Sequence, residues 1–249
     1  ECLDRPTTFG PMLMFDTHKR RQRALLSLAA TLAMSSCASR RVVVVAPAMD
    51  AEQRALALED HTSLEYPLRI VFDWELNEQG VRVFGRGVAR IEPPYKARLD
   101  LFLGSGETVL QAALVNGKMI LPPGMPDDIL PPLDLMWGVL GVFRPEYGIE
   151  LLGGDELDGG MTRLRYRYTD GTELHYGVQD GVLKRLDLID RGDVVQWVEV
   201  DLEENGRYPV QATYRNLAEF RELKLTRESL TRVEPFAPDT WDPIGRLEF

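Results

Sequence analysis

The sequence is poor in the residues that do reactive chemistry. Its 249 residues include two cysteines and three histidines. Neither His61 nor His175 falls in an HxxxH or HExxH spacing, and Cys2 and Cys37 are the only thiols, so a zinc or Cys–His site has no support. No apolar run is long enough to cross a bilayer as a helix, which takes about 20 residues. Basic residues are outnumbered 29 to 39, and the formal net charge of −10 comes with no compensating basic stripe, which disfavours nucleic acid. Gly104-Ser105-Gly106 lacks the third glycine and following helix of a phosphate loop and reads as a hairpin turn. The carboxylates Glu75, Asp100, Glu173, Asp187 and Glu199 lie on polar strand faces, and none is paired with another for acid–base work. No catalytic constellation is present, and the expectation is a protein that is not an enzyme and carries no metal.

The first residue is Glu1, and Met12 and Met14 precede a basic cluster of Lys19, Arg20, Arg21 and Arg23, so Met12 or Met14 is the expected start. The apolar stretch Ala24 to Met34 fits the h-region of a secretory signal. It ends in Met34-Ser35-Ser36-Cys37, which resembles the lipobox of bacterial lipoprotein signals. The resemblance implies cleavage between Ser36 and Cys37 and a diacylglyceryl group on Cys37. The competing reading is an ordinary signal with an incidental cysteine. Several acyl chains on one residue anchor stably, since each buried methylene contributes about 0.8 kcal/mol. Covalent lipid on Cys37 is the only non-protein group expected, with no cofactor. Ala38 follows, not the Asp that marks inner-membrane retention, so the resemblance implies the periplasmic face of the outer membrane. Removing residues 1–36 takes away five basic and three acidic side chains, leaving 24 against 36 and a formal charge of −12.

The expected organisation is therefore residues 1–36 as upstream segment and signal, 37–66 as lipidated cysteine and stalk, and 67–249 as the folded domain. Within the stalk, Val42 to Val45 reads equally as tether or edge strand, and Met49 to Asp60 as a helical turn or two.

From Pro67 the pattern has period two. Leu68, Ile70, Phe72, Trp74 and Leu76 share one face, opposite Arg69, Asp73 and Glu75, and Ala97, Leu99, Leu101 and Leu103 repeat the arrangement. Asn116-Gly117, Asp170-Gly171, Asp180-Gly181, Gly192 and Asn205-Gly206 mark hairpins. Gly85 and Gly87 inside one strand suggest a bulge or sharp bend. The sum is an antiparallel meander. Arg86, Arg90, Arg163, Arg165 and Arg167 are read as cross-strand partners of the many carboxylates rather than an anion site, and His175 as a solvent-facing strand residue.

One segment breaks the period. Between Pro126 and Phe143, Ile129, Leu133, Met136, Trp137 and Leu140 recur at helical spacing, and Pro131-Pro132 places the helix start after the pair or kinks it there. Gly138, Gly141 and Gly148 loosen it. It reads either as core packed over one mouth of the sheet or as a movable lid.

Gly85-Arg86-Gly87 leading to Ala89-Arg90-Ile91, the Leu99-Asp100-Leu101-Phe102 strand, Leu121-Pro122-Pro123-Gly124, and the closing Phe236-Ala237-Pro238-Asp239-Thr240-Trp241 resemble the LolA/LolB-like group of outer-membrane lipoproteins, over about residues 67–243. The resemblance implies a mainly β fold: a curved antiparallel sheet forming an incomplete β-barrel with an apolar helical lid or plug, and acyl chains or lipoproteins as cargo. The chain departs from the group in showing one clear body helix and no evident protruding apolar loop. Phe72, Trp74, Leu99, Leu101, Met136, Trp137 and Leu140 are the expected cavity and lid residues. The alternative is a structural or assembly lipoprotein that docks a protein partner with its interior filled.

Overall fold

A computed structural model describes residues 43–48, 50–126, 129–203 and 206–244. The strands are β1 (Val44–Ala48), β2 (Leu68–Glu78), β3 (Val81–Glu92), β4 (Lys96–Leu103), β5 (Thr108–Val115), β6 (Lys118–Ile120), β7 (Glu150–Leu157), β8 (Thr162–Arg167), β9 (Glu173–Gln179), β10 (Val182–Asp190), β11 (Asp193–Leu202), β12 (Pro209–Asn216) and β13 (Arg221–Arg232). Two α-helices, α1 (Ala51–Thr62) and α2 (Leu133–Val139), and a 3-10 turn at Pro238–Trp241 complete the described elements. All strands join one antiparallel sheet in the order β1-β7-β8-β9-β10-β11-β12-β13-β2-β3-β4-β5-β6. The meander β7 to β13 pairs through β13 with β2, where the second meander begins. β1 and β6 are the free edges, so the barrel is incomplete.

The sheet forms because its residues alternate. In β2, Leu68, Ile70, Phe72, Trp74 and Leu76 are buried while their neighbours are exposed or half-buried. The tight turns follow from residues that tolerate left-handed backbone: Asn116 and Gly117 have φ of 53° and 71°, Asp180 and Gly181 54° and 77°. Outward-facing charges pair across strands. Arg163 and Arg165 on β8 reach Asp155 on β7 at 2.6 and 3.1 Å, and Arg167 reaches Glu173 on β9 at 3.0 Å. Arg86 pairs with Glu228, and Arg90 and Arg98 with Asp100. Beside Asp100 on the outer face lies the closing segment, where Trp241 is buried edge-on to Phe236, and Thr240 O accepts from Arg98 at 3.0 Å.

Four expectations are corrected. Residues 43–66 are not a free stalk: β1 pairs with β7, Val43 exchanges hydrogen bonds with Asp158, and α1 buries Ala51, Ala55, Leu58 and Thr62. The valine run is thus an edge strand from Val44. Gly85 and Gly87 make no bulge, since β3 keeps unbroken register with both β2 and β4. A Cβ at Gly85 would meet Phe102 O at 1.9 Å and one at Gly87 the Phe72 ring at 2.4 Å, so these glycines admit neighbours rather than shift the ladder. The glycines near α2 act likewise. A Cβ at Gly138 would meet Leu186 at 2.6 Å, and one at Gly141 would meet Pro209 at 2.6 Å, so they bring the helix close to the sheet instead of loosening it. Finally, His175 is buried, 9% exposed, and sits 2.9 Å from Glu173. Burial holds its pKa below the usual value, against the pull of the Glu173 hydrogen bond.

Candidate ligand cleft

Both helices lie against the sheet, and their placements differ. The buried stripe of α1, Ala51, Ala55, Leu58 and Thr62, recurs at helical spacing and faces β7 and β10. Its first turn is fixed by Arg54, whose Nε donates to Asp50 Oδ1 at 2.7 Å, whose Nη2 lies 2.7 Å from Glu156 Oε1, and whose Nη1 donates to Thr162 Oγ1. Its last turn is fixed by Thr62, whose hydroxyl donates to Leu58 O at 2.9 Å and accepts from Phe143 N at 3.0 Å. The helix is tied at both ends, with Ala55 and Leu58 buried between the ties.

Between those ties lies a cleft of about 470 Å³. Ala57, Leu58 and His61 of α1 form one wall, Gly160, Thr162 and Leu164 of the β7–β8 hairpin another, and Val178, Asp180 and Gly181 at the β9–β10 turn the third, with Arg54 at the margin. Leu58 and Leu164 make its floor apolar, and the volume falls within the roughly 300–1,000 Å³ of small-molecule sites. No charged side chain lies in the floor; polar groups stand at the mouth. The arrangement suits a chain-like apolar ligand with a polar head outside. The site is absent from the sequence expectation because α1 falls in the segment that reads as stalk; the Ala51, Ala55, Leu58 spacing is the signal that points to it.

The α2 segment is a plug. The helix starts after Pro131-Pro132, and Leu135, Met136, Trp137, Gly138 and Val139 are all buried. The seven residues expected to line a cavity are all in one core: Phe72, Trp74, Leu99, Leu101, Met136, Trp137 and Leu140. Phe72 and Leu140 border a hollow of about 30 Å³, which has room for a water and none for an acyl chain. The expected hollow under Trp137 is filled by side chains. Trp74 is held by its own polar atom, Nε1 donating to Arg86 O at 3.1 Å and Phe102 O at 3.2 Å. Behind the plug Tyr176 packs edge-to-face with both Phe143 and Tyr166, its ring centroid 4.7 Å from that of Phe143.

Polar groups hold the plug. Tyr168 Oη donates to Asp134 in the first turn of α2. Burial raises the pKa of Asp134, with the Tyr168 hydrogen bond opposing it. Beyond the helix, the Arg144 guanidinium stacks 4.2 Å from the Tyr95 ring centroid and 5.1 Å from that of Trp137, and burial lowers its pKa. Among the described residues no group of three or more His, Cys, Asp or Glu is placed to hold a metal ion, and no helix is long and apolar enough to cross a membrane. Ser36 and Cys37 lie outside the described residues.

No family model matches the chain, and no curated protein does. Solved structures do. A LolA superfamily protein from Nitrosomonas europaea superposes with a TM-score of 0.52 at 10% identity, covering 75% of this chain and 94% of its own. The fold is LolA-like. A DUF1329 family protein from Desulfovibrio piger is also similar, with a TM-score of 0.49 at 11% identity over 80% of this chain and 98% of its own. In this LolA-like sheet the plug α2 and the strap α1 occupy the same side, and the apolar-floored cleft of about 470 Å³ is walled by α1.

Proposed function

We propose that the chain is a cell-envelope lipoprotein, anchored through Cys37 at the periplasmic face of the outer membrane, that shelters an acyl chain, free or carried by another lipoprotein, in the cleft under α1. The cleft itself carries the reading: about 470 Å³ of space over an apolar floor, beside a core in which Phe72, Trp74, Met136 and Trp137 are packed. Binding draws on apolar burial, worth about 25 cal/mol per Å², less what it takes to displace α1 from its ties. The LolA-like fold and the lipobox-like Met34-Ser35-Ser36-Cys37 support the same setting.

A second reading has its own observation. The packed core around Met136 and Trp137 suits a structural or assembly lipoprotein that docks a partner and carries no lipid. Native mass spectrometry of the full chain, processed in its envelope and extracted without lipid-like detergent, separates the two. Added mass of one or more acyl species, lost when the cleft is blocked, supports the carrier. A protein of bare mass that takes up no offered fatty acid supports the scaffold.

A further inference from the structure

β10 runs from the cleft, where Val182 follows Gly181, to the opposite end of the sheet at Asp190. At that far end three hairpin tips stand side by side: β10–β11, β12–β13 and β2–β3. Backbone hydrogen bonds join them, Leu217 N donating to Val195 O at 3.0 Å and Gln79 N to Phe220 O at 3.2 Å. The joined tips expose large apolar side chains. Phe220 is 77% exposed, Val81 68% and Leu217 43%. Apolar side chains gathered on joined turns at a hydrated surface mark a place of contact.

Phe220 adds a second observation. Its φ is 53°, in the left-handed region that glycine and asparagine enter readily and a bulky side chain does not. The tip is fixed in that shape by Asn216, whose Oδ1 accepts from Ala218 N at 3.1 Å and Glu219 N at 3.3 Å. An aromatic ring is thus held in a strained backbone and in water, where folding gains nothing from it. Next to the tip, Asn216 and Glu219 also wall a cavity of about 330 Å³ that runs beneath the segment Leu130 to Leu133. A side chain arriving at the rim has a recess to enter.

The charges choose the occupant. Segments 75–82, 190–194 and 215–222 carry six carboxylates and four guanidinium groups, Arg215 among them paired with Glu222, a net of −2 on a chain of net −10. That sign repels anionic lipid headgroups and attracts basic side chains. We propose that this rim is the docking surface for a protein partner that presents an apolar segment flanked by lysine or arginine. It goes beyond the acyl-binding reading and stands without it.

The test uses the full chain in its own envelope with a photo-crosslinking residue at position 220 or 217, and at Leu56, exposed on α1, as control. The adduct peptide is sequenced, synthesised and titrated against the purified protein. The expected result is an adduct at 220 and 217 and not at 56, to an apolar segment with basic flanks, whose binding weakens with added salt and falls at least tenfold in Val81→Asp. Phe220→Asn keeps the turn, since asparagine accepts its φ, so it should melt higher than the parent and still lose binding. Adducts to lipid, to a second copy of this chain or to an acidic or uniformly polar segment, equal adducts at 56, or unchanged binding in Val81→Asp and Phe220→Asn, each overturn the proposal.

Discussion

The ring of Phe72 lies where a side chain at residue 87 would go, its Cε2 2.4 Å from the position a Cβ on Gly87 would take. Leu101 Cδ2 closes the same space at 2.9 Å. Gly87→Ala is therefore expected to destabilise the fold by about 1–3 kcal/mol, the range of overpacked cores, in urea unfolding. Phe72→Leu in the same chain should recover part of that loss. Strict additivity of the two changes would show that the ring does not fill the space.

Trp74 offers a separate test of the same pair of strands. Its indole N–H is shared by the carbonyls of Arg86 and Phe102, two part-buried acceptors at one point of the sheet. Trp74→Phe keeps an aromatic ring and removes the donor. The expected loss is about 1–2 kcal/mol, read by thermal or urea unfolding.

Asp134 should work against stability at neutral pH. Burial raises its folded-state pKa, so the folded protein binds that proton more tightly than the unfolded chain. The sign follows: its contribution is present in acid and is lost as pH rises from the ordinary carboxylate value through the folded one. Asp134→Asn, which keeps an oxygen for Tyr168, should therefore be more stable than the parent at neutral pH and gain nothing below the carboxylate range. Equal gains at both pH values would point to packing, not ionisation.

The two helices should respond differently to substitution. Ala57 lines the cleft from the exposed side of α1, so Ala57→Trp is expected to fill it, lower fatty-acid affinity at least tenfold and leave the melting temperature nearly unchanged. Fluorescent fatty-acid displacement and circular dichroism read the two effects. Trp137→Asp instead puts a carboxylate among packed side chains, and several kcal/mol of stability should go with it.

Much of the sheet was legible in the sequence because its signals are local. Alternation from Leu68 to Leu76, the turns Asn116-Gly117 and Asp180-Gly181, and the Pro131-Pro132 pair before α2 each act within a few residues. The pairing of β13 with β2 joins Leu223 to Leu76, and that of β1 with β7 joins Ala48 to Gly154, across long stretches of chain whose register no short pattern encodes. The burial of His175 has a related cause: its strand is interior to the sheet, with Arg165 and Asp187 opposite it on the two neighbouring strands, and that placement comes from pairings outside its own segment. Whether the interior is hollow depends on how side-chain volumes sum in three dimensions, which alternation does not report.

Where an acyl chain settles is the most direct measurement. A fatty acid with a photoreactive group near its methyl end, irradiated with the purified full chain and mapped by peptide mass spectrometry, should label residues 54–61, 160–164 and 178–181. Labelling confined to residues 133–140, or labelling unaffected by Ala57→Trp, would contradict the cleft under α1 as the binding site.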